Sequence, residues 1–287
     1  MKLVSIIILN FNKKDLLQKC LDSIKRNTSY TNYEVIVVDN GSSDGSQAMI
    51  ERRYYWVKLI KNEKNLGFAK ANNIGIKAAR GDYILLLNND TIIAQKDWLN
   101  NMVAAAEGDP RIGIVGCRLI GPDGTIQHAG GWFDIRGTGH YVKDVDVITE
   151  VDYVTGAALL IKREVIDKIG LLDEKFSPLY YEDTDWCARC RKAGYKVVYT
   201  PKSTIIHVGS STASQLYFSS LRYYIENKNR LRFILLNYPL TWLIARIPFE
   251  IGILIYSIIT KRASEIFRAY CDNLKDIREI LSKRWRR

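Results

Sequence analysis

The stretch ILLLNNDTII, Ile84 to Ile93, decides the fold. An apolar run breaks on two amides and a carboxylate, Asn88, Asn89 and Asp90, before the apolar pattern resumes. Such a run, with β-branched content and no alternation, reads as a strand covered on both faces, as in a parallel sheet. Sheets of that kind place their ligands outside the carboxyl ends of the strands. The polar trio therefore sits where chemistry is usually done.

Strand and helix signals alternate around it. LVSIIIL (3–9) precedes a helix-like KDLLQKCLDSIKRN (14–27), then EVIVVD (34–39), a helix from about Ser43, WVKLI (56–60), a helix over GFAKANNIGIKAA (67–79) and YILLLN (83–88). This is the βαβ signature of an open, mainly parallel sheet with helices on both faces, an α/β fold. Its strands end in Asn10-Phe11-Asn12, Asp39-Asn40-Gly41-Ser42, Lys61-Asn62 and Asn88-Asn89-Asp90, clusters that converge on one edge. Past residue 110 the texture changes to IGIVGCRLI, a glycine-rich GPDGTIQHAGGWFDIRGTGH and YVTGAALLIK, the mark of a smaller mixed or antiparallel region with loops beside the site. Helices are expected at about 163–169 and from Asp183 through Ala193.

The chain has 287 residues and is 47% hydrophobic, enough for a sizeable core. Its five cysteines form no secreted framework, which suggests a reducing compartment, and Cys187-x-x-Cys190 lacks the second pair a zinc site needs. The opening MKLVSIIILNF is too quickly interrupted by Asn10 and Asn12 to read as a signal peptide, and is better taken as a first buried strand. The formal charge of +11 is uneven: residues 222–287 carry 14 Lys/Arg and 6 Asp/Glu, a net of +8, against 28 and 25, a net of +3, before them. A nearly neutral body argues against a nucleic-acid groove. The basic tail, interleaved with aromatics, suits an anionic membrane surface. Within it the longest charge-free stretches are 13 residues (233–245) and 10 residues (251–260), short of the ~20 a spanning helix needs. Helices lying in a membrane interface, or a helical cap on the body, fit that pattern equally.

Four constellations carry chemistry. In VIVVDNGSSDGS, Asp39 closes a strand and can point at a base or ribose, or it can simply form a turn with Asn40. In NLGFAKANNIGIKAA, Asn65 and Gly67 precede a helix whose N-terminus offers donors suited to a diphosphate. Asp90 supplies one hard oxygen for Mg²⁺ or Mn²⁺, so a second ligand must come from elsewhere; His207, ending the apolar run of STIIHVGSST, is a candidate. In SPLYYEDTDWCARCRKAGY, Glu182, Asp183 and Asp185 open a helix, as dipole partners or as a general base between apolar walls. Tyr180-Tyr181 offers a surface for a sugar ring. His128, Trp132 and His140 lie in a glycine-rich loop near the proposed site, where Trp132 could stack on an acceptor sugar or anchor the loop.

Taken in order, VSIIILNFN, VVDNGSSDGS, NLGFAKANNIGI, GDYILLLNND, VTGAALLIKREV, YYEDTDWCARCRKAGY and IIHVGSS resemble a family 2 glycosyltransferase of the GT-A fold, in the rhamnosyltransferase-like branch that builds cell-surface polysaccharides. The resemblance covers about residues 3–230. It implies a Rossmann-like GT-A domain with a nucleotide-sugar-binding half (1–110), an acceptor and catalytic half (111–221) and a basic, apolar helical extension (222–287). It implies inverting transfer from a nucleoside-diphosphate sugar, UDP- or dTDP-linked and dTDP-rhamnose among the options, to a hydroxyl of a glycan or polyprenyl-linked acceptor. Asp39 would contact the base with Asn10 and Asn12 beside it, Asn65, Gly67 and Asn73 would shape the nucleotide pocket, and Asn88 and Asn89 would face the donor. Asp90 and His207 would hold the metal, and Asp183, with Glu182, would be the catalytic base; His128, Trp132 and Tyr181 would meet the acceptor. Asn88 stands where the family's Asp-x-Asp motif has its first carboxylate, which puts strict metal dependence in question. The implied setting is cytoplasmic, peripheral on the inner face of the plasma membrane. A sugar-phosphate nucleotidyltransferase is the rival enzyme, although LNFNKKD lacks a glycine-rich, lysine-bearing phosphate loop. A non-catalytic scaffold is the other rival, for which an intact Glu182-Asp183 pair has no use.

Overall fold

The computed structural model describes residues 1–209 and 220–286. Its elements run β1 (Val4–Asn10), α1 (Lys14–Asn27), β2 (Tyr33–Asp39), α2 (Ser46–Arg53), β3 (Val57–Lys61), α3 (Phe68–Ala78), β4 (Tyr83–Asn88), β5 (Thr91–Ile92) and α4 (Trp98–Glu107). The second half adds β6 (Ile112–Ile120), β7 (Ile126–His128), β8 (Gly131–Phe133), β9 (Gly139–Tyr141), β10 (Thr149–Glu150), β11 (Ala158–Lys162), α5 (Arg163–Ile169), α6 (Glu182–Lys192) and β12 (Lys196–His207). Helices α7 (Ser220–Asn237), α8 (Leu240–Ala245), α9 (Ile247–Ile259), α10 (Ala263–Lys275) and α11 (Ile277–Arg286) follow.

The main sheet has the order β10-β12-β6-β11-β4-β1-β2-β3. β3, β2, β1 and β4 are mutually parallel, β11 runs antiparallel between β4 and β6, and β12 is parallel to β6. The expected mixed, mainly parallel sheet is therefore present, and it continues without a break across residue 110. Along β4 the side chains alternate between two cores: Leu85 and Leu87 join Leu17, Leu21, Met102 and Trp98 on one face, whereas Ile84 and Leu86 join Ile76, Ile166 and Trp186 on the other. Period-two alternation between two covered faces is why the strand reads as a single apolar run.

Helix α1 has the bounds expected from sequence, and the expected helix near Ser43 begins at Ser46. α4 was not anticipated, although Trp98, Leu99, Met102, Ala105 and Ala106 line one helical face and are buried. The two Cys187-x-x-Cys190 thiols are buried and free. The Gly-Ser-Ser loop expected after His207 runs into residues 210–219, outside the described part.

α7 is not a detached appendage. The amide of its buried Asn229 donates to the carbonyls of Phe176, Leu179 and Tyr180 at 2.6, 2.9 and 3.0 Å, and Lys228 donates to that of Ser177 at 3.0 Å. Arg232, also buried, pairs with Asp173 and Glu279. Four of these links close the loop that leads into Glu182 and Asp183.

Candidate active site

β1, β2 and β4 end in register, with Asn10 opposite Asp39 and Leu9 opposite Asn88, so one sheet edge collects the first, second and fourth polar clusters. Asn89 donates to Asn10 Oδ1 at 2.7 Å, and Asn10 Nδ2 donates to Asp39 Oδ2 at 3.0 Å. Asp39 is fully buried, and its Oδ1 accepts from the Ser42 backbone at 2.9 Å and from Gln47 at 2.7 Å. It thus shapes the β2–α2 loop from inside. Asn12 Oδ1 accepts from the Ser43 backbone at 2.8 Å, and Asn40 bonds Asn62 and Asn65, so the loops of this edge are cross-tied before any ligand arrives.

Not every donor-side expectation keeps its free groups. Gly67, at φ +81°, sits where a Cβ would stand 2.8 Å from Ser177 Oγ, and the Phe68 N–H already donates to the Pro178 carbonyl at 2.9 Å. The α3 N-terminus is packed against the acid-bearing loop, so part of its expected diphosphate capacity is used internally. Asn73 is buried, with its amide donating to Leu172 O and Glu174 and its oxygen accepting from Leu172 N. That residue ties α3 to the 172–174 segment and lines no nucleotide pocket.

The fourth cluster meets the end of β12. Thr91 pairs with His207 across β5 and β12, which sets His207 Nε2 3.2 Å from Asp90 Oδ1 and 3.5 Å from Asn88 Nδ2. Gln127 fixes the ring: its Nε2 donates to the His207 carbonyl at 3.0 Å, so its Oε1 accepts from Nδ1 at 2.8 Å. That bond aims Nε2 at Asp90. Asp90 Oδ1 is buried, with no hydrogen-bond partner besides this ring nitrogen. An imidazole nitrogen and a carboxylate oxygen 3.2 Å apart are both ligand types that divalent cations accept. Asp90 and His207 thus fit a divalent metal as a two-ligand partial site; among the described residues no group of three or more His, Cys, Asp or Glu gathers to hold one. The remaining positions suit diphosphate oxygens and water. Gln127 was not anticipated from sequence, and only its spacing from the turn at Gly121–Gly124 hints at its place.

The acid pair opens α6. Asp183 Oδ2 accepts from the Gly156 N–H at 2.7 Å and Oδ1 from the Thr184 N–H at 2.7 Å. Beside Gly156, the Ala157 carbonyl accepts from Asn88 N at 2.9 Å, so two peptide units separate the anchor of Asp183 from the end of β4. Glu182 is buried, and its Oε2 has no hydrogen-bond partner. Burial, then the neighbouring Asp183 charge, pushes the Glu182 carboxyl well above the ordinary glutamate range. Burial also raises Asp183, opposed by the hydrogen bonds from Gly156 and Thr184. Asp185, the third acid, serves the packing of the helix. It is fully buried, pairs with Arg189 at 2.8 Å and accepts from Asn237 at 2.8 Å, fastening α6 to α7.

Of the acceptor-side expectations, one stays open to solvent. Trp132 is 47% exposed and stacks on His140 with centroids 4.3 Å apart. His128 is buried between the rings of Tyr141 and Tyr153, and burial lowers its pKa to about 4; it presents nothing to an acceptor. Tyr181 packs its ring beside Phe133 and Phe233 and donates its hydroxyl to the Gly137 carbonyl at 3.2 Å. Its faces are occupied, so it is a scaffold for the loop and not a sugar platform.

Residues 5–170 match the family described as Glycosyl transferase family 2, and the chain belongs to that family. It is similar to the O-antigen biosynthesis protein RfbC of Myxococcus xanthus, at 30% identity over 224 residues, 73% of this chain and 17% of that one. An N-acetylglucosaminyl-diphospho-decaprenol L-rhamnosyltransferase of Mycobacterium tuberculosis (strain CDC 1551 / Oshkosh) is 28% identical over 207 residues, 60% of this chain and 66% of its own. The chain thus spans under a fifth of the first relative's length. Among solved structures, GalNAc-T7 with UDP, GalNAc and Mn²⁺ superposes with a TM-score of 0.66 at 19% identity, covering 82% of this chain and 48% of that one. The fold is GT-A, and the family to which the chain belongs is one of glycosyltransferases.

Proposed function

We propose that this enzyme transfers a sugar, with inversion, from a UDP- or dTDP-linked donor to a hydroxyl of a glycan carried on a polyprenyl lipid. The named activity of the mycobacterial relative makes dTDP-rhamnose the first donor to try. Such an acceptor places the reaction on the cytoplasmic face of the plasma membrane. The observation that supports the reading is the run of bonds from Asp183 through Gly156 and Ala157 to Asn88, two residues before Asp90.

In this mechanism Asp183 takes the proton of the acceptor hydroxyl as its oxygen attacks the anomeric carbon. The bond from that carbon to the diphosphate oxygen breaks on the opposite face, and the nucleoside diphosphate leaves with the electron pair. A divalent cation, Mg²⁺ or Mn²⁺, held by Asp90 and His207, would supply charge neutralisation to the departing diphosphate. Burial raises the proton affinity of Glu182, which sits beside Asp183 at the start of the same helix. Asn10, Asn12, Asn65, Asn88 and Asn89 orient the donor, and Trp132 offers the acceptor an aromatic face.

The test is nucleotide release from a panel of UDP- and dTDP-sugars with Mn²⁺, with and without a polyprenyl-diphosphate glycan. Acceptor-dependent release with one donor is expected. No release from any nucleotide sugar would overturn the proposal.

A further inference from the structure

Residues 239–259 are turned inside out. Their two charged side chains, Arg246 and Glu250, pair with each other and face inward, Arg246 donating to the Ile135 carbonyl at 3.0 Å and Glu250 also pairing with Arg230. Every exposed residue of that stretch is uncharged, and most are large and apolar, with Ile244, Ile258 and Ile259 between 67% and 73% exposed. Over the following described residues through Trp285 the exposed charges are Lys261, Arg268, Lys275 and Arg278, all basic, whereas the acids there are partly covered. Phe267 and Trp285, 70% and 76% exposed, stand among them.

We infer that α8 and α9 lie flat in the interface of an anionic lipid bilayer, with the exposed cations of α10 and α11 on its headgroups. An apolar face this large marks a docking surface, and its flanking positive charge selects lipid over a neutral protein partner. α9, with 13 residues, is about 20 Å long, too short for a hydrocarbon core of about 30 Å. No described helix is long and apolar enough to cross a membrane. The surface is joined to the acceptor side. The turn between β8 and β9 is gripped by Tyr238 on Asp134 O at 2.7 Å, Arg246 on Ile135 O and Arg230 on Arg136 O at 3.2 Å. The hairpin bearing Trp132 is therefore fastened to the helices that would rest on lipid, where a polyprenyl-borne glycan emerges; for that acceptor the inference rests on the proposed function.

Flotation of the full chain with phosphatidylcholine vesicles containing phosphatidylglycerol tests it. Binding is expected, weakened by salt and by omission of phosphatidylglycerol. The double variant Ile244→Glu/Ile258→Glu should lose at least ten-fold in vesicle partition while its donor hydrolysis in solution stays unchanged. Absence of vesicle binding by the unaltered chain, or equal binding by the variant, overturns the inference. So does a stable dimer that the same substitutions dissociate, because a second copy would then cover the face. Absence of nucleotide release by the unaltered chain with donor and acceptor both present would instead refute the glycosyl-transfer reading, and the two failures are separable.

Discussion

The donor edge of the sheet and the start of α6 treat their carboxylates in opposite ways. On the donor edge Asp39 receives hydrogen bonds from Asn10, the Ser42 backbone and Gln47, and the loops it organises are tied before a ligand binds. On the acid side Glu182 has a buried oxygen without any donor, and burial raises Asp183 against the hydrogen bonds it keeps. The difference separates shape from reactivity: Asp39, bonded on both oxygens, holds geometry, whereas burial raises the proton affinity of Glu182 and Asp183. Asp90 stands between, buried with one oxygen that no hydrogen-bond donor meets.

Asp183→Asn should give the largest effect. A positioned base contributes about 10²–10⁴ in rate, and that factor is expected to vanish from kcat in a donor–acceptor assay. Folding should survive, because one lost hydrogen bond is offset by removing a desolvated charge. The pH profile has a definite sign: the base works ionised, activity falls as pH drops through its pKa, and a raised pKa puts the acid limb above the ordinary aspartate value of 3.8. A kcat/KM profile flat down to that value would break the comparison. Asp39→Asn should behave in the reverse manner. An amide in place of a carboxylate turns a donor toward a donor, so about 1–3 kcal/mol of stability and a rise in donor KM are expected from thermal melts and kinetics, with kcat nearly kept.

How much of this was legible beforehand follows the same division. The buried strands and the edge they share could be read because two covered faces leave an unmistakable apolar run, and α1 was placed to the residue. The acid pair and Asp90–His207 stood out because carboxylates and a histidine at strand and helix ends break an apolar pattern. What sequence missed are long-range amide ties. Asn73, Gln127 and Asn229 look alike in a string of letters, yet each is assigned by a partner 50 to 100 positions away. His128 and Tyr181 were misread for the converse reason: aromatic residues in a glycine-rich or acidic stretch suggest a sugar platform, and only packing shows their faces to be covered.

Gln127→Leu sharpens the middle of the comparison. Removing the group that orients His207 should weaken Mn²⁺ binding by about 10–100-fold in calorimetry with nucleotide present, through the outer shell alone. Unchanged Mn²⁺ affinity would detach His207 from the metal.

The smallest effect belongs to Glu182→Gln, and its direction is the most diagnostic. Because the folded pKa is raised, the native state keeps this proton at pH values where the unfolded chain has released it, so stability falls as pH climbs above the ordinary glutamate value of 4.5. Replacing the acid by an amide removes that dependence. Tm should rise by about 2–4 °C at pH 8, and by less at pH 5. A gain that is equal at both pH values would mean that Glu182 is ionised in the native protein, and the contrast between the hydrogen-bonded Asp39 and the buried acid pair would then fail at Glu182.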